Sequence, residues 1–262
     1  VFPFVSVGAT ENAMMAAAAA SGPSQIINAA REPEIIDLAD CLNAMGARIT
    51  GQGTDTLTIE GVASLSTATH RVVADRVEAG TFIMAAAMTG GSLTVRDIIP
   101  HHLDALFDVI RQTGVGTDIG DNFVTVSANG RYQAQNVETQ PYPGFPTDLQ
   151  AQFTAMMCLA EGVSQISETI FENRFMHVPE LVRMGADISV DGRTAIIRGK
   201  DALLPAPVMA TDLRASVSLV LAGLATTGTT SVSRIYHLDR GYAGLETKLG
   251  ACGARLRRIH QS

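Results

Sequence analysis

Residues 1–8 place apolar side chains at Val1, Phe2, Phe4, Val5 and Val7, broken by Pro3 and Ser6 and ended by Gly8, and read as a strand. Thr10-Glu11-Asn12 then predicts the cap of an Ala-rich helix ending near Ser21-Gly22, and Gln25-Ile26-Ile27 a short strand. Pro33 has no N–H to leave unsatisfied, so it suits the first position of a second helix, which runs to Met45-Gly46. Residues 47–50 and 56–59 alternate as two strands joined through Gly51-Gln52-Gly53, a hairpin.

This order, strand-helix-strand-helix-strand-strand, recurs along the chain. Glycines closing the second helix of each copy fall at Gly46, Gly114, Gly185 and Gly253, spaced 68, 71 and 68 residues apart. An independent series closing the first helices, Gly22, Gly91, Gly162 and Gly228, is spaced 69, 71 and 66. Glycine suits both sites because it alone enters the left-handed cap conformation cheaply. A period near 70 is too long for the common solenoids, so each copy is a small α/β subdomain. Residues 212–227 are apolar on nearly all sides, which predicts helices inside and sheets outside. The polar stretch 64–69 is the most linker-like, and it places a domain boundary near residue 72.

Composition narrows the function. The chain has 262 residues, 46% of them hydrophobic, which is enough for one large or two medium packed domains. A net charge of -7 without a Lys/Arg cluster argues against nucleic-acid binding. The apolar runs at residues 16–20 and 217–225 fall well short of the roughly 20 residues of a membrane span. Cys41, Cys158 and Cys252 have no metal-ligand spacing and read as reduced core residues of a cytoplasmic protein. The adjacent His101 and His102 point to different faces and read as an exposed helix start, so neither metal nor cofactor is expected.

Candidate chemistry gathers at two helix starts. Pro143-Gly144-Phe145-Pro146-Thr147-Asp148-Leu149-Gln150 predicts a turn, a Thr147 cap and an Asp148 seated at the positive helix end. Ala210-Thr211-Asp212-Leu213-Arg214-Ala215 reads the same way and adds an arginine. Such helix starts suit anionic ligands, and plain capping is the competing reading of both carboxylates.

Several longer strings carry a resemblance. These are Ser6-Val7-Gly8-Ala9-Thr10-Glu11-Asn12, residues 28–35, residues 143–152, residues 168–181, residues 210–216 and residues 234–242. Together they closely resemble the UDP-N-acetylglucosamine 1-carboxyvinyltransferase family across essentially the whole chain. The shikimate-pathway enolpyruvyl transferases share the fold but not these strings. The resemblance implies an α/β enolpyruvyl-transferase-like inside-out barrel of repeated βαβαββ subdomains, with four of the family's six copies present. On that reading residues 1–72 are the last subdomain of the first domain. Residues 73–262 are then the second domain of three subdomains, lacking the N-terminal chain segment that closes it in the family, and the chain is a C-terminal part.

The implied reaction transfers enolpyruvyl from phosphoenolpyruvate to the 3-hydroxyl of UDP-N-acetylglucosamine and releases phosphate, the first committed step of peptidoglycan synthesis. Asp148 matches the family's base and sugar-nucleotide contact, although a helix N-terminus lowers a carboxylate's pKa and weakens it as a base. Arg214 and Arg240 match positions near phosphoenolpyruvate, where a planar guanidinium suits both carboxylate and phosphate. A surface pair of Arg240 with Asp239 is the alternative for Arg240. Asp212, beside Arg214, would orient it, and Leu213 joins the substrate-binding positions. Ser6, Val7 and Gly8 match the uridine-nucleotide loop, with Ile170 as an apolar contact. Glu32, Glu34, Glu172 and Arg174 read as interdomain or capping groups first and ligand contacts second. The family's loop acid and its phosphoenolpyruvate-binding Lys and Arg match no position here, so an N-terminal portion is a further expected partner. A non-catalytic remnant that binds nucleotide sugar or a partner chain is the alternative.

Overall fold

The computed structural model describes residues 1–259, and its first residues depart from the expected strand. Phe2 N donates to Ile27 O at 3.0 Å, but no ladder follows, because Ser6 turns the chain into helix α1 (Val7–Ala18). Ser6, not Thr10, is the N-cap, its Oγ accepting from Ala9 N at 3.3 Å. Thr10 is buried one turn later, where its hydroxyl donates to Ser6 O and accepts from Ala30 N. Strand β1 (Pro23–Ile27), helix α2 (Pro33–Ala44) and strands β2 (Arg48–Thr50) and β3 (Thr56–Glu60) follow. The sheet order is β1-β3-β2, all antiparallel, with Ile26 opposite Leu57 and Ile49 opposite Ile59. Alternation puts these four side chains on one face, under Met14, Ala18, Ile35 and Ala39 of the two helices.

These elements form one unit, residues 1–74 with residues 141–144. The polar stretch within it is not loose. Ser66 N and Oγ both donate to Met45 O, while His70 Nε2 and Val73 N reach Asp37 Oδ1 at 2.9 and 3.0 Å.

The other unit, residues 75–140 with the rest of the chain, begins with α3 (Arg76–Thr89), β4 (Gly91–Arg96), α4 (Asp104–Gln112), β5 (Gly116–Ile119) and β6 (Phe123–Ala128). Next come β7 (Val137–Glu138), α5 (Gln150–Met157), β8 (Val163–Ser167), α6 (Val178–Arg183), β9 (Asp187–Asp191) and β10 (Thr194–Arg198). The chain closes with β11 (Pro207–Met209), α7 (Leu213–Leu224), β12 (Ser231–Ser233) and α8 (Leu245–Ala251). Three sheets result: β4-β6-β5, β7-β8-β10-β9 and the parallel pair β11-β12. Within the second, β7 runs parallel to β8 and the other pairs are antiparallel.

Helices α3, α5 and α7 pack on one another, and every residue of α5 is buried. A helix apolar on all sides has no face for water, so the sheets cover these helices from outside, as their composition predicts. The glycines of both marker series adopt φ between 86° and 128°, the left-handed region their cap role requires.

The repeat is less regular than expected. A leading strand precedes only α5 and α7 among the described residues, as β7 and β11, and no strand follows Gly253. A strand needs a neighbour to take its N–H and C=O groups, and residues 254–259 join none of the sheets in this unit.

Candidate active site

Thr147 does not cap a helix. Pro146 takes that position with no side-chain bond, residues Thr147–Leu149 form a single 3-10 turn, and α5 starts only at Gln150. The turn is held from below, where Gln152 Nε2 donates to Asp148 O at 3.0 Å and Leu149 is fully buried. The Asp148 carboxylate is therefore set at the edge of the helical core with its side chain 37% exposed.

Two arginines close on it. Arg174 Nη2 donates to Asp148 Oδ1 at 2.6 Å, and Arg214 Nη2 donates to Asp148 Oδ2 at 2.7 Å. Arg174 comes from the loop before α6 and lies over the Phe171 ring at 4.7 Å, its Nη1 donating to Thr147 Oγ1 at 2.7 Å. Arg214 comes from the first turn of α7, and its Nη1 reaches Tyr242 Oη at 3.4 Å. Tyr242 Oη in turn sits 2.9 Å from Thr81 Oγ1 of α3. Three helices and one loop thus fix one carboxylate between two cations.

Electrostatics follow from that placement. Burial pushes Asp148 up, but the Arg214 and Arg174 charges and their hydrogen bonds outweigh it and hold the carboxyl below its usual value. Burial also works against the Arg214 charge, and Asp148 and Tyr242 reverse it, so the guanidinium stays firmly protonated. Burial raises the Tyr242 phenol despite the Arg214 charge, keeping it neutral. With both oxygens engaged, Asp148 in this state is a weak base and the pair of guanidiniums is a preformed anion receptor.

The other expected positions divide. Asp212 N-caps α7, its Oδ1 accepting from Arg214 N at 2.8 Å and Ala215 N at 2.9 Å, so it holds the Arg214 backbone while Asp148 orients the guanidinium. The two helix starts therefore differ, a cap at Asp212 and a guanidinium clamp at Asp148. Leu213 is half-buried against Gly241, where a Cβ would lie 2.9 Å from Leu213 Cδ2. Ile170 is half-buried with its N bonded to Glu168 Oε1 at 2.8 Å. Arg240 is exposed at the end of a 3-10 turn and forms no ion pair among the described residues. Asp239 pairs instead with Arg258 Nη2 at 2.6 Å, because the C-terminal segment returns past that turn.

Ser6, Val7 and Gly8 lie in the other unit, at the start of the 12-residue α1, with Gly8 exposed and nothing within 4 Å of where its Cβ would be. In the same unit Glu32 accepts from Arg31 N and Tyr142 N. Glu172 is exposed. Arg174, ranked as a capping group, is a full member of the clamp. Its partner is 26 residues away, beyond any local spacing signal.

The cysteines correct another expectation. Only Cys158 is buried, and burial pushes its thiol up to about 12, which leaves it unreactive. Cys41 is half-buried, and Cys252 is exposed because it follows the last turn of α8, whose buried side is Leu245 and Leu249. Among the described residues no group of three His, Cys, Asp or Glu is placed to hold a metal, and no helix is long and apolar enough to cross a membrane.

Repeated α/β units around buried helices, with a carboxylate clamped by two arginines at their edge, define the class. The EPSP synthase (3-phosphoshikimate 1-carboxyvinyltransferase) family model matches residues 1–249, and the chain belongs to that family. Its fold is the enolpyruvyl-transferase fold, also seen in the enolpyruvyl transferase NikO from Streptomyces tendae, with TM-score 0.84 and 29% identity over 95% of this chain and 60% of that one. EPSP synthase from Acinetobacter baumannii shares the fold at TM-score 0.74, with 16% identity over 99% of this chain and 62% of that one.

Sequence similarity is much higher to another transferase. The chain is 60% identical over 259 residues to the UDP-N-acetylglucosamine 1-carboxyvinyltransferase of Caulobacter sp. (strain K31), covering 98% of this chain and 60% of that relative. It is 57% identical over 260 residues to the enzyme of that name from Geobacter metallireducens, covering 99% and 62%. The chain thus spans about three fifths of the length of these relatives.

Proposed function

We propose that this chain carries the base and arginine side of a UDP-N-acetylglucosamine 1-carboxyvinyltransferase site, working in the cytoplasm on peptidoglycan precursor synthesis. The observation that carries the reading is the Asp148 carboxylate held between Arg174 and Arg214 at 2.6 and 2.7 Å. An arriving phosphoenolpyruvate carries the same kind of oxygens that Asp148 presents to the guanidiniums. It competes for Arg214 and Arg174, and each bond it takes from Asp148 frees a carboxylate oxygen and makes it more basic. The freed oxygen accepts the proton of the sugar 3-hydroxyl as that oxygen bonds to C2 of phosphoenolpyruvate and C3 takes a proton. Loss of a C3 proton with cleavage of the C2–O bond to phosphate then restores the vinyl group. The guanidiniums that hold the base are thus also the groups that, on taking up the arriving anion, release it.

Ser6, Val7 and Gly8 are assigned to the nucleotide, with an open helix start offering backbone N–H groups. Ile170 and Leu213 are assigned to apolar contacts with the sugar nucleotide, Asp212 to holding the α7 start, and Arg240 to a contact made once substrate is bound. The acid that protonates C3 is assigned to an N-terminal portion matching the rest of the relatives' length, with residues 1–72 and 73–262 belonging to different domains.

Phosphate release from phosphoenolpyruvate and UDP-N-acetylglucosamine, measured with the chain plus a separately produced N-terminal portion, tests this. The expected result is turnover that falls at least about 100-fold in Asp148→Asn, within the range set by loss of a positioned base. Association without turnover, or equal turnover in the variant, contradicts the assignment. Nucleotide-sugar binding with no turnover in any combination identifies a non-catalytic binding protein.

A further inference from the structure

A second carboxylate lies behind the clamp. Glu168, at the end of β8, is 1% exposed, and among the described residues no Lys, Arg or His pairs with it. It is held by donors alone. Thr139 Oγ1, Ile170 N and Phe171 N reach Oε1 at 2.8, 2.8 and 3.1 Å, and Thr147 Oγ1 reaches Oε2 at 2.8 Å. Burying an unpaired carboxylate is costly, and a position with only a packing duty is filled more cheaply by an apolar or amide side chain.

The bond directions give this carboxylate a duty. A guanidinium has donors only, so Thr147 Oγ1 must accept from Arg174 Nη1, and its single proton is then left for Glu168. An acceptor at Oε2 therefore fixes the Thr147 hydroxyl, which fixes one arm of Arg174, whose other arm grips Asp148. The same Glu168 holds the backbone of Phe171, the ring under the Arg174 guanidinium. Glu168 thus supports Arg174 by two routes.

We infer that Glu168 is a positioning residue for the anion clamp, setting Arg174 through the Thr147 hydroxyl and the Phe171 backbone. The inference rests on the transferase reading for its functional meaning, but its structural claim is testable without substrate. The charged groups facing Asp148 are Arg174 from the loop before α6 and Arg214 from α7. Loosening Arg174 removes one of the two cations that hold the Asp148 carboxyl down.

The test is a carbon-13 carboxyl titration of the chain labelled at aspartate, with the Asp148 signal assigned by its loss in Asp148→Asn. In Glu168→Gln the new amide turns a donor toward either Thr147 or the Oε1 donors, and in Thr147→Val the hydroxyl is gone at constant shape. Both variants are expected to move the Asp148 midpoint up by roughly one pH unit, while Thr147→Ser, which keeps the hydroxyl, titrates as the parent does. An unmoved midpoint in folded Glu168→Gln overturns the inference, whether or not Thr147→Val shifts. So does a shift in Thr147→Ser as large as in Thr147→Val. If Glu168→Gln does not fold, Glu168→Asp, which draws the carboxylate one methylene back from the Thr147 hydroxyl, takes its place in the same comparison. Because no turnover is read, failure of the transferase assignment leaves this result standing, and the reverse holds too.

Discussion

At the scale of single residues, the site is a set of charges whose neighbours decide their chemistry. Asp148 is not free to act as a base while two guanidiniums occupy it, so the weak point of its assignment from sequence, a depressed pKa, has a cause more specific than a helix end. His177 illustrates the opposite effect. It is fully buried beside the same loop, and burial lowers it to about 4 from an ordinary 6.5 despite the nearby Asp212 charge. A histidine whose folded pKa lies below its unfolded one binds its proton first in the unfolded chain. The stability this group contributes is therefore present above pH 6.5 and is lost as pH falls toward 4, by up to about 3 kcal/mol at one unit per 1.36 kcal/mol. Urea unfolding at pH 7.5 and 4.5 should show that loss in the parent and a smaller one in His177→Leu. Equal losses in the two would rule out His177 as the source. Local sequence made Asp148 and Arg214 visible because each sits in a helix-start pattern. Arg174, Glu168 and Tyr242 join them only through tertiary contacts, which no local pattern encodes.

At the scale of elements, the glycine series were legible because each position needs a backbone conformation that other residues adopt only at a cost. A second kind of glycine was not, since its reason lies in a distant segment. A Cβ on Gly199, just past β10, would sit 1.7 Å from Ala160 O, and one on Gly61, just past β3, 1.8 Å from Ala20 O. Both obstacles are backbone carbonyls near a helix end, so the same close approach recurs in two copies of the repeat. Gly199→Ala must move backbone, and the expected loss is about 3 kcal/mol, at the upper end of ordinary overpacking. A denaturant midpoint within error of the parent would show that the β10 end shifts freely. Helix starts were the least legible feature. Ser6 replaced Thr10 and Pro146 replaced Thr147, because cap residues are common in these strings and the choice among them is made by what the hydroxyl meets. Thr10 meets Ala30 N, and Thr147 meets Glu168.

For the whole molecule, the repeat, the buried helices and the outer sheets were readable from periodicity and from the absence of a polar helix face. The irregular members of the repeat were not, because a strand exists only where another strand pairs with it. The acidic chain presents its positive potential to a ligand through a few buried-edge arginines rather than through overall charge. That makes anion capture by the clamp the claim on which the functional account turns. The most direct measurement is calorimetric titration of phosphoenolpyruvate into the chain combined with the separately produced N-terminal portion, in the presence of UDP-N-acetylglucosamine, for the parent and for Arg214→Ala. The account predicts binding in the parent that weakens at least about tenfold in the variant, the effect of losing one charge-assisted hydrogen bond. Equal binding in both, or binding in neither, would contradict it.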